Sequence, residues 1–241
     1  MSVTGAATGA AVTDMAPHPL WLHPAVDLHL VAAPGDVARA RGACPAASVR
    51  HARPLVEDAY LTLPPRAEAR ERTGLDGPGP WVLVDHSAWN VPPAHELVDP
   101  LLARSDARVV VSAAGFQDDS DARALRRRYA STSRVEVRDD EEEKPLLSAA
   151  CDLLVTTVAS TTAFAALAAG TPTVLFHALP GHGVASAEAA ERDGVALWAR
   201  TEEELGRIVA DGARGLDVAA ARARVLDAPT VAEQVLALAA A

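Results

Sequence analysis

This sequence predicts an α/β fold with a parallel, doubly wound sheet, and two observations carry the prediction. Short hydrophobic runs of strand character alternate with helix-length segments from residue 27 to residue 212, as they do when parallel strands are joined by helical crossovers. The stretch from Cys151 to Gly183, CDLLVTTVASTTAFAALAAGTPTVLFHALPGHG, reads as one βαβ unit. Within it Asp152–Val158 and Thr173–Leu179 have strand character, and Ser160–Ala169 is a short helix. Gly170 just past the helix and Pro172 soon after it stop the helix for backbone reasons.

The elements follow in order. Residues 1–26 are small, polar and punctuated by proline, and predict no independent element. Asp27–Ala32 alternates as a strand, Asp36–Gly42 is helical, and Ser48–Ala52 is a short strand. Arg53–Pro65 holds three prolines and reads as a linker. Arg66–Thr73 is a helix closed by Gly74, and Trp81–Asp85 is a buried strand. A loop, His86–Pro93, leads into a helix over Ala94–Arg104 and a strand over Ala107–Ala113. Ser120–Ala130 is helical and ends in Arg126, Arg127 and Arg128, where positive charge suits the helix dipole. Arg134–Arg138 is a strand, the acidic run DDEEEK starts a helix, and Pro145–Ala150 completes it. After the βαβ unit come a helix over Val184–Asp193 and a strand over Val195–Trp198. Thr201–Gly212 is a helix opened by a capping box, Thr201 with Glu204. Asp217–Ala241 makes one or two Ala-rich helices. In such a sheet ligands bind outside the carboxyl ends of the strands. Three loops meet there: His86–Pro93, Val158–Thr162 and Pro180–Gly183.

The totals exclude several functions. The 241 residues carry a net charge of −10 and contain one lysine, Lys144, beside 21 arginines. This acidic balance argues against a nucleic-acid partner and supplies no polybasic anchor for an anionic membrane. Hydrophobic residues make up 49% but aromatics only 4%, so Ala and Val carry the packing. Cys44 and Cys151 stand far apart in Ala-rich settings, with no zinc-like spacing. The N-terminus lacks the pattern of a signal peptide, and no apolar run is long enough to span a bilayer. The cytoplasm is the expected location.

Ser160, Thr161 and Thr162 stand at the entrance of the short helix. Hydroxyls there cap free backbone N–H groups. A helix entrance behind a buried parallel strand is also an anion site, because free N–H groups and the helix dipole point outwards. A capped helix that binds nothing fits the same pattern.

Three stretches together resemble a known family. These are TDMAPHPLWLHPAVDL at residues 13–28, ARPLV at 52–56, and residues 152–183. They are similar to the middle, the hinge and the donor-sugar motif of the lipid-linked GT-B glycosyltransferases. That group includes the monogalactosyldiacylglycerol synthases and the transferase that adds N-acetylglucosamine to the peptidoglycan lipid. The register holds without a gap from Asp152 to Pro172. The resemblance runs from about residue 11 to about residue 212 and points to the family 28 type of C-terminal domain. It implies a GT-B-type Rossmann-like domain over 61–241 that takes a nucleotide-sugar. Residues 1–60 would then be the hinge and the remnant of a truncated N-terminal acceptor domain. The family's Gly-rich first loop has no counterpart.

The resemblance also implies where the donor would sit. The family's Gly-Gly pair falls on Ala159 and Ser160, and its ribose-holding Glu on Ala165. A Cβ at each glycine position narrows the approach of a diphosphate, and a methyl group accepts no hydrogen bond from ribose. Donor contacts are expected at Ala159, Ser160, Thr161, Thr162, Ala165, Gly181, His182 and Gly183. A further contact is expected at Ser87, in the glycine-free loop after the first strand of the domain. His182, between two glycines, would be a hydrogen-bond donor to the sugar or diphosphate, or a loop histidine with an exposed ring. His18 and Asp14 are the candidate catalytic groups on the acceptor side, His18 as a base that titrates near neutrality. Both residues also suit capping of an irregular segment. Asp85 and His86 close a strand at the ligand edge without a fixed role.

Two readings follow. One is an inverting hexosyltransferase using a nucleotide-sugar, most simply a UDP-sugar, with a lipid or small hydroxylated acceptor. It needs no cofactor and no metal, because a helix entrance holds the diphosphate. The other is a non-catalytic, donor-domain-like binding or partner subunit. A nucleotide-sugar epimerase of the same fold is a lesser third. An acceptor-domain chain or self-association would cover the open cleft face, and membrane contact would be at most peripheral.

Overall fold

The computed structural model describes residues 9–12, 26–32, 35–54, 56, 58–85, 93–113, 119–157, 159, 161–177 and 182–239. For 9–12, 119–121, 182 and 238–239 it describes the backbone alone. Two parallel sheets organise these residues. The smaller has three strands in sequence order, β1 (Gly9–Val12), β2 (Leu28–Val31) and β3 (Ser48–His51). Strand β1 corrects the reading of residues 1–26 as devoid of an independent element. Its Gly-Ala-Ala-Val has no strand signal of its own and is made a strand by pairing with β2, Gly9 against Leu28 through Val12 against Val31. Helix α1 (Asp36–Ala43) covers one face through Val31, Ala40, Cys44 and Val49.

The linker reading of Arg53–Pro65 is also corrected. One helical turn, α2 (Asp58–Leu61), forms within it and buries Tyr60. Helix α3 (Arg66–Thr73) ends where Gly74 takes φ +68°. There the Leu75 N–H donates to Arg70 O and the Gly74 N–H to Glu71 O, which closes the end in a Schellman motif.

The larger sheet uses β4 (Trp81–Asp85), β5 (Arg108–Ser112), β6 (Val135–Arg138), β7 (Leu153–Thr156), β8 (Thr173–Leu175) and β9 (Leu197–Trp198). Its order is β6-β5-β4-β7-β8-β9, with every pairing parallel. This is the order of a Rossmann sheet, in which the path reverses beside the first strand. The crossovers are α4 (His95–Arg104), α5 (Asp119–Arg128), α6 (Lys144–Ala150), α7 (Thr161–Ala168) and α8 (His182–Arg192). Helices α9 (Glu202–Ala210), α10 (Val218–Leu226) and α11 (Val231–Ala239) follow. The acidic run before Lys144 does not begin a helix. Glu141, Glu142 and Glu143 form a turn held by Asp140, whose carboxylate accepts the Glu142 N–H at 2.9 Å. The helix starts at Lys144 because Pro145 presets the φ of a first helical turn.

Both faces of the larger sheet are covered, so its strands read as continuous apolar runs. Val82, Val84, Val109, Val111, Leu153 and Val155 pack on Leu97, Val98 and Leu101 of α4 and on Leu205 and Val209 of α9. Trp81, Leu83, Val110 and Leu154 pack on Ala69 of α3, Leu147 of α6 and Ala166 of α7. Thr201 Oγ1 accepts the Glu204 N–H, as the capping box predicts. The Glu204 carboxylate returns to the Arg200 N–H, one residue ahead of the cap. Cys44 and Cys151 are both buried free thiols, and burial pushes the Cys151 thiol well above its ordinary range.

Asp152, at the head of the donor-like motif, lies at the amino end of β7, away from the ligand edge. Its Oδ2 accepts the Trp81 N–H at 2.8 Å and the Arg70 guanidinium at 2.5 Å. This carboxylate therefore ties α3 and β4 to β7. Asp152→Ala strands a buried N–H and a guanidinium, and is expected to lower the unfolding free energy by about 2 kcal/mol. Asp152→Asn keeps an acceptor and is expected to cost about half as much. Urea unfolding of both variants checks the ranking, and an equal cost for the two would refute it.

Helix α11 crosses to the smaller sheet. Val231 packs against Leu28, Leu30 and Ala52, and Gln234 donates to His51 O at 3.0 Å. Burial holds the His51 imidazole below its ordinary range, against weaker upward pulls from the Ala32 backbone and the Asp193 carboxylate. A histidine depressed in the folded state binds its proton more readily in the unfolded chain. Its contribution to stability is therefore complete above the unfolded value of about 6.5 and is lost as pH falls below it. The difference in urea-derived stability between the wild type and His51→Asn is expected to shrink from pH 7.5 to pH 5. A difference independent of pH would contradict a half-buried imidazole whose pKa is lowered by desolvation.

Candidate functional site

The path of the chain reverses between β4 and β7, and the crevice at their carboxyl ends is the candidate site. Strand register assembles its floor. Asp85 is paired with Ser112, and the pairing of Val84 with Val155 sets Thr156 beside Asp85. Two residues below these positions lie Leu83, Val110 and Leu154, all in one apolar cluster. By the period of two, Ser112, Asp85 and Thr156 share that face, and all three are buried. The row is where the sheet changes from apolar to polar. Lys144, the first residue of α6, places Nζ 2.8 Å from Asp85 Oδ1.

Helices α7 and α8 both begin at this same edge, after β7 and β8. Thr161, the first residue of α7, is exposed, and Thr162 is half-buried. The start of α7 therefore faces outwards, beside the end of β7, with the dipole and free N–H groups that suit an anion. The rest of α7 is buried on every side: Ala163, Phe164, Ala165, Ala166, Leu167 and Ala168 are at most 5% exposed. At its far end Gly170 takes φ +83°, where Thr171 N–H bonds to Ala166 O and Gly170 N–H to Leu167 O. The glycine is needed at that angle, because a Cβ there meets its own backbone.

The sequence-derived candidates divide as follows. Thr161 and Thr162 stand at the crevice. Ala159 is 1% exposed and packs in the core with Phe164 and Leu167, and Ala165 is 3% exposed. His182 and Gly183 were expected in a loop, and instead form the first two residues of α8. A glycine is tolerated there because the first turn leaves its N–H groups free in any case. Asp14, His18, Ser87, Ser160 and Gly181 lie outside the described residues.

Two features at this edge carry little sequence signal. His177, just beyond β8, has φ +52° and an exposed ring 4.1 Å from that of Phe176. A non-glycine residue in that region is uncommon, and such strain concentrates at functional sites. The Asp85–Lys144 pair joins residues far apart in the chain, so no local pattern announces it. A separate cavity of about 250 Å³ lies along β9 and α9, lined by Trp198, Arg207 and Arg214 among others, two strands from β7.

No family model matches the chain, and no curated protein matches it. Solved structures do share its fold. HepE from Anabaena, solved in complex with UDP, superposes with a TM-score of 0.66 at 16% identity, over 97% of this chain and 72% of that one. HepE solved with UDP-glucose gives 0.65 at 17% identity, over the same shares. MurG from Acinetobacter baumannii gives 0.55 at 18% identity, over 87% of this chain and 64% of that one. These likenesses establish the fold: the six-stranded parallel sheet and its helices form a Rossmann-like domain of the kind found in GT-B glycosyltransferases.

Proposed function

We propose that this chain is the donor-binding part of a glycosyltransferase-like protein that holds a nucleotide-sugar, most simply a UDP-sugar, in the crevice between β4 and β7. The carrying observation is the outward-facing start of α7 beside the switch point of a Rossmann-order sheet. Solved structures with the same fold include HepE with UDP and with UDP-glucose, which supports the choice of ligand.

Inverting transfer needs a base on the acceptor hydroxyl, a cradle for the diphosphate, and neutralisation of charge on the departing group. The start of α7 supplies the cradle and part of the neutralisation. Thr161 and Thr162 add hydroxyl donors, and His182 heads the neighbouring helix on the same edge. Asp14 and His18 are the candidates for the acceptor side. In this reading residues 61–241 form the donor domain and residues 1–60 belong to the acceptor side. A lipid or small hydroxylated molecule is the acceptor, and an acceptor-domain chain or a second copy completes the cleft. No helix among the described residues is long and apolar enough to cross a membrane.

Ala165 favours a second reading, a binding or partner subunit without transfer activity. Its methyl group stands where the resemblance places a ribose-holding carboxylate. The missing bond costs about 1.5–3 kcal/mol, or tenfold to a hundredfold in affinity.

Calorimetry with UDP and UDP-sugars tests both readings. Weak binding is expected, with a Kd on the order of 100 μM or more. Absence of binding at millimolar concentrations would rule out a donor site. Slow release of UDP from bound UDP-sugar marks the enzyme, and binding without release marks the partner subunit.

A further inference from the structure

We infer that Lys144 is a diphosphate-binding residue of the crevice, held in place by Asp85; this deepens the donor reading above and rests on it. The chain uses arginine at 21 of its 22 basic positions and keeps lysine at one. That one position is where a cation is buried against Asp85, with side chains 11% and 5% exposed and 2.8 Å between charges. A lysine is compact and carries three N–H donors, whereas the planar fork of arginine needs more room.

The location argues against a purely structural pair. Taking two charges out of water costs more than an apolar replacement would, so a buried pair is a poor device for stability alone. Along the rest of α6 the join to the sheet is apolar: Leu147, one turn from Lys144, packs directly on the β4 and β7 cluster. This ion pair stands at the top of that face, in the row of Ser112, Asp85 and Thr156 that floors the crevice, and it is far more buried than the Arg70–Asp152 pair at the bottom, whose side chains are 30% and 26% exposed. Alone, Asp85 would repel a diphosphate seated at the start of α7. Lys144 cancels that charge, and the ammonium donors that Asp85 does not take remain to meet a phosphate oxygen. The pair thus gives positive character to the crevice beside the start of α7.

The two partners have opposite expected effects. Lys144→Met removes the cation and exposes the ligand to Asp85, and is expected to weaken UDP binding by tenfold or more, about the worth of one charge-assisted hydrogen bond. Asp85→Asn removes the competing acceptor and the repulsion, and is expected to tighten UDP binding by about threefold. A structural pin predicts weaker binding in both variants, so weakening by Asp85→Asn overturns the inference.

One measurement on the unaltered chain stands even if Lys144→Met fails to fold. As the sole lysine, Lys144 is the one internal target for an amine-reactive reagent, and the peptide between Arg138 and Arg192 reports its labelling by mass. UDP at roughly ten times its Kd is expected to slow that labelling about tenfold, whereas uridine leaves the rate unchanged. Binding of UDP by calorimetry with no change in labelling overturns the role of Lys144 and leaves the donor reading intact. Equal protection by uridine moves the contact off the phosphates and overturns the assignment. Absence of UDP binding overturns both.

Discussion

Thr161→Glu is expected to raise the melting temperature slightly and to weaken UDP binding at least tenfold. The opposite signs come from one geometry. Thr161 is the exposed first residue of α7. A carboxylate in the first turn interacts favourably with the helix dipole and contributes about 0.3–1 kcal/mol to stability. That same carboxylate occupies the field proposed for the diphosphate. Two like charges about 5 Å apart repel by about 3 kcal/mol at an effective dielectric constant near 20. Exposure to solvent trims this to about 1.5–3 kcal/mol, which is tenfold to a hundredfold in Kd. Thermal unfolding and calorimetry on one sample separate the two effects. If UDP binds Thr161→Glu as well as wild type, the diphosphate does not sit at this helix start.

Much of the larger sheet is legible in the sequence, for a physical reason. Strands β4, β5 and β7 are buried on both faces, so WVLVD, RVVVS and LLVT stand out as unbroken apolar runs. The ends of α3 and α7 are legible too, because Gly74 and Gly170 mark backbone angles that other residues resist. What pairing alone decides is not legible. Gly9–Val12 becomes a strand through β2, and Asp58–Leu61 becomes a helical turn by packing beside α6 and α7. In the site, the helix start at Thr161 was readable from hydroxyls followed by a glycine stop. The role of Asp152 was not: the residue belongs to the donor-like motif by register, yet its carboxylate holds Trp81 and Arg70 at the amino end of β7. His177 and the Asp85–Lys144 pair were hidden for complementary reasons. A positive φ at a histidine leaves no compositional trace, and an ion pair between residues far apart in sequence exists only once the fold brings them together.

Phe164→Ala is expected to cost more stability than any other change considered, and the chain's own composition sets its size. Phe164 lies in the first turns of α7, 2% exposed, in the seam where Leu167, Leu175 of β8, Ala187 and Ala190 of α8, and Ala221 and Val225 of α10 converge. Removing a buried ring typically costs about 3–5 kcal/mol, and the value depends on how far the site collapses. Here three of the six neighbours are alanines, which have no side-chain rotamers with which to fill a void, so closing it relies largely on backbone movement. The upper part of the range applies, and for a domain of this size it corresponds to a fall in Tm of roughly 10 °C or more. Phe164→Leu keeps most of the volume and is expected to lose about a third as much. The consequence for binding follows from position. The ring anchors the helix whose start is the proposed diphosphate site, so Phe164→Ala assayed well below its melting point is expected to bind UDP more weakly through a displaced first turn. A loss below about 2 kcal/mol would show that α7, α8 and α10 do not close around this ring. The start of α7 would then lack the rigid support that an anion site requires.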